Sequence, residues 1–120
     1  MDIFQSDRFF QLWYYTVSHG QLLLRSVKSD SEKTQVDVFF KNVKFVGVPA
    51  LLKSMRVIEI DPEKIGSDSW PGDLSFSGEG RYFQLAGDGW KGLIIAGFFD
   101  WDESENEHYE ESAFLSNSFL

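Results

Sequence analysis

The chain contains no cysteine. It therefore carries neither a disulfide nor a thiolate metal site, its core must hold it together unaided, and a reducing compartment is expected. Long apolar runs are missing too. No segment approaches the roughly 18–20 residues of a membrane-spanning helix, and the opening MDIFQSDRFF lacks the basic region and long apolar stretch of a secretory signal. A cytoplasmic protein with no membrane partner is the expectation. Alanine is scarce and glycine numbers ten, which argues against much helix. Lysine and arginine are absent from Asp100 to Glu111, a stretch with seven acidic residues.

That last absence organises the charge. The formal net charge is −8, but outside this stretch 12 acids face 11 bases, so a nearly neutral body carries one acidic segment near its C-terminus. Such a patch repels nucleic acid and anionic lipid and attracts a basic protein surface or a cation.

The 120 residues have room for one domain, 1–120, able to bury roughly two-thirds of the surface its unfolded form exposes. Twelve Phe, four Trp and four Tyr favour strands. The chain is organised around Phe9 to Lys28, FFQLWYYTVSHGQLLLRSVK, where Ser18-His19-Gly20 splits two apolar runs and Gly20 supplies the positive φ of a hairpin turn. A two-residue period puts Trp13, Tyr15 and Val17 on one face and Leu12, Tyr14 and Thr16 on the other.

Residues 1 to 8 read as a lead-in and residues 29 to 33 as a loop. Thr34 to Val48 alternates well but is long for one strand, so two strands or one bent at Asn42 are expected. Pro49 to Ser54 suggests a single helical turn, and Arg56 to Ile60 a short strand. Glu63 to Gly80 is the longest irregular stretch. Arg81–Ala86 and Lys91–Phe99 flank an Asp88-Gly89 hairpin signal, with the inward phase of each left open. The predicted fold is mainly β, an antiparallel sandwich or barrel of six to eight strands with little helix.

Several motifs invite a sharper reading. From Asp100 to Glu111, oxygen or nitrogen ligands fall at the alternating positions of a calcium loop, but Glu105 stands where that loop needs glycine, and the preceding IIAGFF is a strand. A solvated acidic loop accounts for the pattern and no metal site is assigned. Ser18 and His19, with His108 far along the chain, lack the strained elbow of a serine hydrolase, so no catalytic residue is assigned. His19 reads as a turn residue. Arg25 and Asp37 read as a cross-strand pair worth under about 1 kcal/mol if exposed. GDGWKG, Gly87 to Gly92, has the letters of a phosphate loop but leads into a strand, which leaves a turn and no cofactor.

Trp13-x-Tyr15-x-Val17-Ser18-His19-Gly20-Gln21-Leu22-Leu23-Leu24-Arg25-Ser26, Asp37-Val38-x-Phe40-Lys41-x-Val43, and Ala96-Gly97 followed by acids and Tyr109 to Ser112 resemble a group of small uncharacterised bacterial proteins, a domain of unknown function. The resemblance implies a fold and a bacterial source and transfers no site residue. In size and charge the chain is also similar to toxin-immunity proteins.

The expectation is a small acidic, non-enzymatic protein-binding domain, in one form a bacterial immunity protein covering a toxin's basic cleft. The partner-binding residues would be Trp90, Asp100, Trp101, Asp102, Glu103, Glu105, Glu107 and Tyr109, with carboxylates steering the encounter and aromatics anchoring it. Trp90 and Trp101 stand where burial within a monomer looks hardest. The alternatives are a self-associating domain that forms a homodimer through aromatic strand faces, and a small-ligand or cation-binding β domain.

Overall fold

The computed structural model describes residues 2–18, 20–61 and 80–105. These form eight strands and no helix: β1 (Asp2–Thr16), β2 (Gln21–Ser26), β3 (Gln35–Lys41), β4 (Phe45–Gly47), β5 (Leu51–Ile60), β6 (Arg81–Gly87), β7 (Trp90–Ala96) and β8 (Phe98–Ser104). Every pairing is antiparallel, in the order β4-β7-β6-β5-β1-β2-β3-β8. The two ends of that order belong to continuous stretches of chain. β3 runs on through residues 42–44 into β4, β7 runs through Gly97 into β8, and the first stretch pairs with the second along both halves. The sheet therefore closes on itself as a barrel with six walls, within the expected all-β class.

The expected bend at Asn42 is the corner that permits this closure. Lys41 pairs with Phe98 and Phe45 with Ile95, so three residues on one side oppose two on the other, as in a β-bulge. Asn42 adopts a φ of 55°, and the Gly97 N–H donates to the carbonyls of Lys41 (3.0 Å) and Asn42 (3.2 Å).

β1 is the hub, pairing with β5 over its first ten residues and with β2 over Gln11–Thr16. The β1–β2 turn contains Gly20 at φ 55°, whose carbonyl accepts from Val43 N–H at 3.0 Å; a Cβ there would lie 3.0 Å from that nitrogen. Two expectations are corrected. Residues 2–8 are not a lead-in but the first half of β1; register shifts between Asp2 and Phe4 and between Ser6 and Phe9 break the two-residue period that would have revealed a strand. The helical turn at Pro49–Ser54 is absent, since Leu51 already belongs to β5 and Ser54, at φ 57°, stands at the bulge opposite residues 7 and 8.

A further bulge at Trp13 changes the faces of the hairpin. Leu12 pairs with Leu24 and Tyr15 with Leu22, so Leu12 and Tyr15 share a side, contrary to simple alternation. Trp13 turns outward, its ring 5.2 Å from the Arg25 guanidinium carbon.

The barrel interior is filled by side chains. Phe4, Phe10, Leu24, Val38, Phe40, Leu52, Met55, Phe83, Leu85 and Ile94 belong to one buried cluster. Phe40 meets the rings of Phe83 (5.4 Å) and Phe99 (5.3 Å). Each fully buried large apolar side chain contributes roughly 1.5–3 kcal/mol of transfer free energy. The open phase of β6 and β7 is now decided: Phe83, Leu85, Ile94 and Ala96 point in. Gly97 interrupts the alternation, so Phe99 packs inward while Phe98 lies outside against Phe39, 6.4 Å away.

Candidate functional site

The acidic segment begins as a strand. From Asp100 to Ser104 the backbone is extended and paired with β3, which sends alternate side chains to opposite faces. Asp100 pairs with Phe39 and Asp102 with Asp37 on the outer face; Trp101 pairs with Val38 and Glu103 with Val36 on the face towards the barrel interior. The predicted partner-binding residues are thereby divided. Asp100 and Asp102 form an outer acidic row, whereas Trp101 and Glu103 belong to one end of the barrel; Glu105 is exposed one residue past the end of β8. Glu107 and Tyr109 lie outside the described residues, as do His19 and His108.

Trp90 is placed elsewhere. It packs against the main core, and its Nε1–H donates to the Lys53 carbonyl at 2.9 Å. The premise that it resists burial is corrected: Gly87 lets the β6–β7 turn approach β5 so closely that a Cβ there would stand 2.5 Å from the carbonyls of both Lys53 and Ser54. Trp101 remains exposed on one side while its ring meets Phe4 at 5.2 Å.

Two cations of β2 and β3 share this outer face, Arg25 and Lys41, and Arg25 is already committed. Arg25 Nε donates to Asp37 Oδ1 (2.7 Å) and Nη2 to Oδ2 (3.2 Å), and both side chains are buried, 1% and 5% exposed. The expected cross-strand pair exists, but its burial takes it out of the weak surface class. Among the described residues no lysine or arginine forms an ion pair with Asp100, Asp102 or Glu105.

The barrel end below Trp101 is built around Arg8. Its Nε donates to Ser26 Oγ (3.1 Å), its Nη1 to Thr34 Oγ1 (3.0 Å) and its Nη2 to the Thr34 carbonyl, while Thr34 Oγ1 donates to Glu103 Oε2. Beside it opens a cleft of about 290 Å³ lined by Ile3, Phe4, Arg8, Glu32, Trp101 and Glu103, among others. Sequence reasoning missed Arg8, Glu32 and Thr34 because they were assigned to lead-in, loop and strand start. One signal was present: Arg8 is the only lysine or arginine among the first 24 residues.

The opposite end is apolar, with a cleft of about 330 Å³ lined by Leu12, Tyr15, Leu22, Val43, Phe45 and Val46 together with Lys44. Of the exposed large apolar side chains, Phe9, Leu12, Trp13, Tyr15 and Val17 come from β1 and the turn after it.

The calcium-like spacing has no converging geometry in its described half, because an extended strand sets Asp100, Asp102 and Ser104 in a line. Among the described residues no group of three or more histidine, aspartate or glutamate side chains is placed to hold a metal ion, and no helix is long and apolar enough to cross a membrane. Gly87 to Gly92 joins β6 to β7 as a turn. Comparison of the chain with protein-family models, curated proteins and solved structures finds no match.

Proposed function

We propose that this domain is a non-enzymatic binder of a basic protein surface, of the kind an immunity protein presents to a bacterial toxin. The observation that carries the reading is the outer row of β8. Asp100 and Asp102 are held on a paired strand, Asp102 stands opposite a second aspartate, Arg25 is bonded to Asp37, and among the described residues no lysine or arginine forms an ion pair with Asp100 or Asp102. Like charges set opposite one another across strands oppose folding, so the row is an unneutralised field that a cationic partner relieves.

Immobilised wild-type protein and the variant D100N/D102N, exposed to a bacterial lysate at low salt, provide the test. A basic protein retained by the wild type and depleted at least tenfold on the variant, with the difference shrinking as salt is raised, supports the reading. Equal capture on both removes it.

The concentration of exposed aromatic and aliphatic side chains on β1 favours a second reading, self-association of two copies through that strand. Sedimentation over a concentration series that shows monomer throughout eliminates this one.

A further inference from the structure

We propose that the cleft beside Arg8 seats one arginine side chain of the basic partner, its guanidinium flat on the Trp101 indole and its N–H groups on Glu103 and Glu32. This rests on the reading of the domain as a binder of basic protein surface, and it names a contact on a different face from the outer acidic row.

The charges of the cleft are layered. The Arg8 side chain is 11% exposed, whereas Glu32 is 41% and Glu103 50% exposed, so an entering group meets the two carboxylates before the guanidinium. Arg8 is also occupied. All three of its nitrogens donate to Ser26 or Thr34, and the carboxylates stand 3.7 Å (Glu32) and 3.9 Å (Glu103) away, beyond a good hydrogen bond. Two carboxylates against one cation leave a net charge of −1, with acceptor lone pairs still open on the solvent side. An anion is therefore repelled at the entrance and finds Arg8 engaged; a cation finds oxygen acceptors.

The rest of the lining selects the kind of cation. Trp101 and Phe4 form an aromatic wall and Ile3 and Val36 an apolar one, surfaces that cost a hydrated metal ion its water and offer it no ligand. A guanidinium suits both parts: it is weakly hydrated, stacks on an indole face and presents a fork of donors to carboxylates. Its aliphatic stem can lie along the apolar side.

The probe is N-acetyl-arginine amide, which carries only the side-chain charge, titrated into 15N-labelled full-length protein. The Trp101 indole resonance, identified by its loss in Trp101→Phe, is expected to shift saturably. N-acetyl-citrulline amide, the same shape without the charge, should bind at least tenfold more weakly, and so should the arginine probe to Glu103→Gln, a variant that keeps an acceptor for the Thr34 hydroxyl and a dispersed spectrum. Asp100→Asn, on the other face of β8, should bind as the wild type does. No saturable shift, equal binding of citrulline, or an unaffected Glu103→Gln overturns the assignment. The two proposals fail separately: loss of the probe site with capture still sensitive to D100N/D102N removes only the cleft, and the reverse result removes only the outer row.

Discussion

Two ion pairs of the barrel have the same closest N–O distance, 2.7 Å, and opposite physical meaning. Arg25 and Asp37 lie on the outer face of β2 and β3 with 1% and 5% of their side chains exposed; Arg56 and Asp2 join β5 to β1 with 50% and 47% exposed. In the first wall every residue of β2 is buried, and Trp13 covers Arg25 from the bulge in β1. In the second, Phe9 and Leu51 stand open to solvent beside the polar side chains. Distance alone thus says little about an ion pair. Removing water strengthens the attraction and also makes either charge intolerable without its partner, whereas an exposed pair is screened and replaceable.

The comparison breaks most visibly at Asp37. Asp37→Ala removes the carboxylate that accepts the Nε and Nη2 hydrogen bonds of the buried Arg25 guanidinium and is expected to destabilise by about 3–5 kcal/mol in urea denaturation, while the double replacement R25M/D37L recovers most of that loss. A cost below about 1 kcal/mol for Asp37→Ala would show that this wall is wetter than its geometry implies. Asp102→Asn sharpens the same wall from its neighbour, because it removes a like charge set opposite Asp37; a gain in stability of about 0.2–1 kcal/mol is expected, alongside weaker partner capture.

The exposed side answers with smaller numbers. Asp2→Ala, despite bidentate geometry, should cost no more than about 1 kcal/mol and lose its effect in high salt. At the rim where β5 ends and β6 begins, the hydrogen bonds that Arg81 donates to Glu59 (2.9 and 2.8 Å) hold the Glu59 carboxyl below its ordinary value. A lowered folded-state value means that the stabilisation is present above the unfolded carboxylate range and is lost as pH falls through the folded one. Glu59→Gln should therefore lower stability in the neutral region by under about 1 kcal/mol and leave the acid end almost unchanged, which flattens the acid limb of a stability-against-pH curve.

Legibility in the sequence followed local chemistry. Ser18-His19-Gly20 and Asp88-Gly89 marked the β1–β2 and β6–β7 turns, because a positive φ or a tight hairpin demands particular residues. Thr34 to Val48 was legible as two strands or one strand bent at Asn42 for the same reason. The first half of β1 was hidden by its own bulges, and the start of β5 by Pro49 and by the irregularity at Ser54. Of the candidate site, the acids and Trp101 were visible as types. Which face each would take was not, since that depends on the phase at which Gly97 resets the strand.

The amino-acid order by itself determined a mainly β, antiparallel class, two of its tight turns and an acidic stretch without bases, because these follow from residue-level preferences and from counting charge. Only the tertiary structure decided that the sheet closes into a ring, that β8 parts its acids between an outer row and a barrel-end cleft, and that Arg8 lies beneath Glu103. Those facts arise from register between strands distant in sequence, where a single extra residue exchanges the two faces.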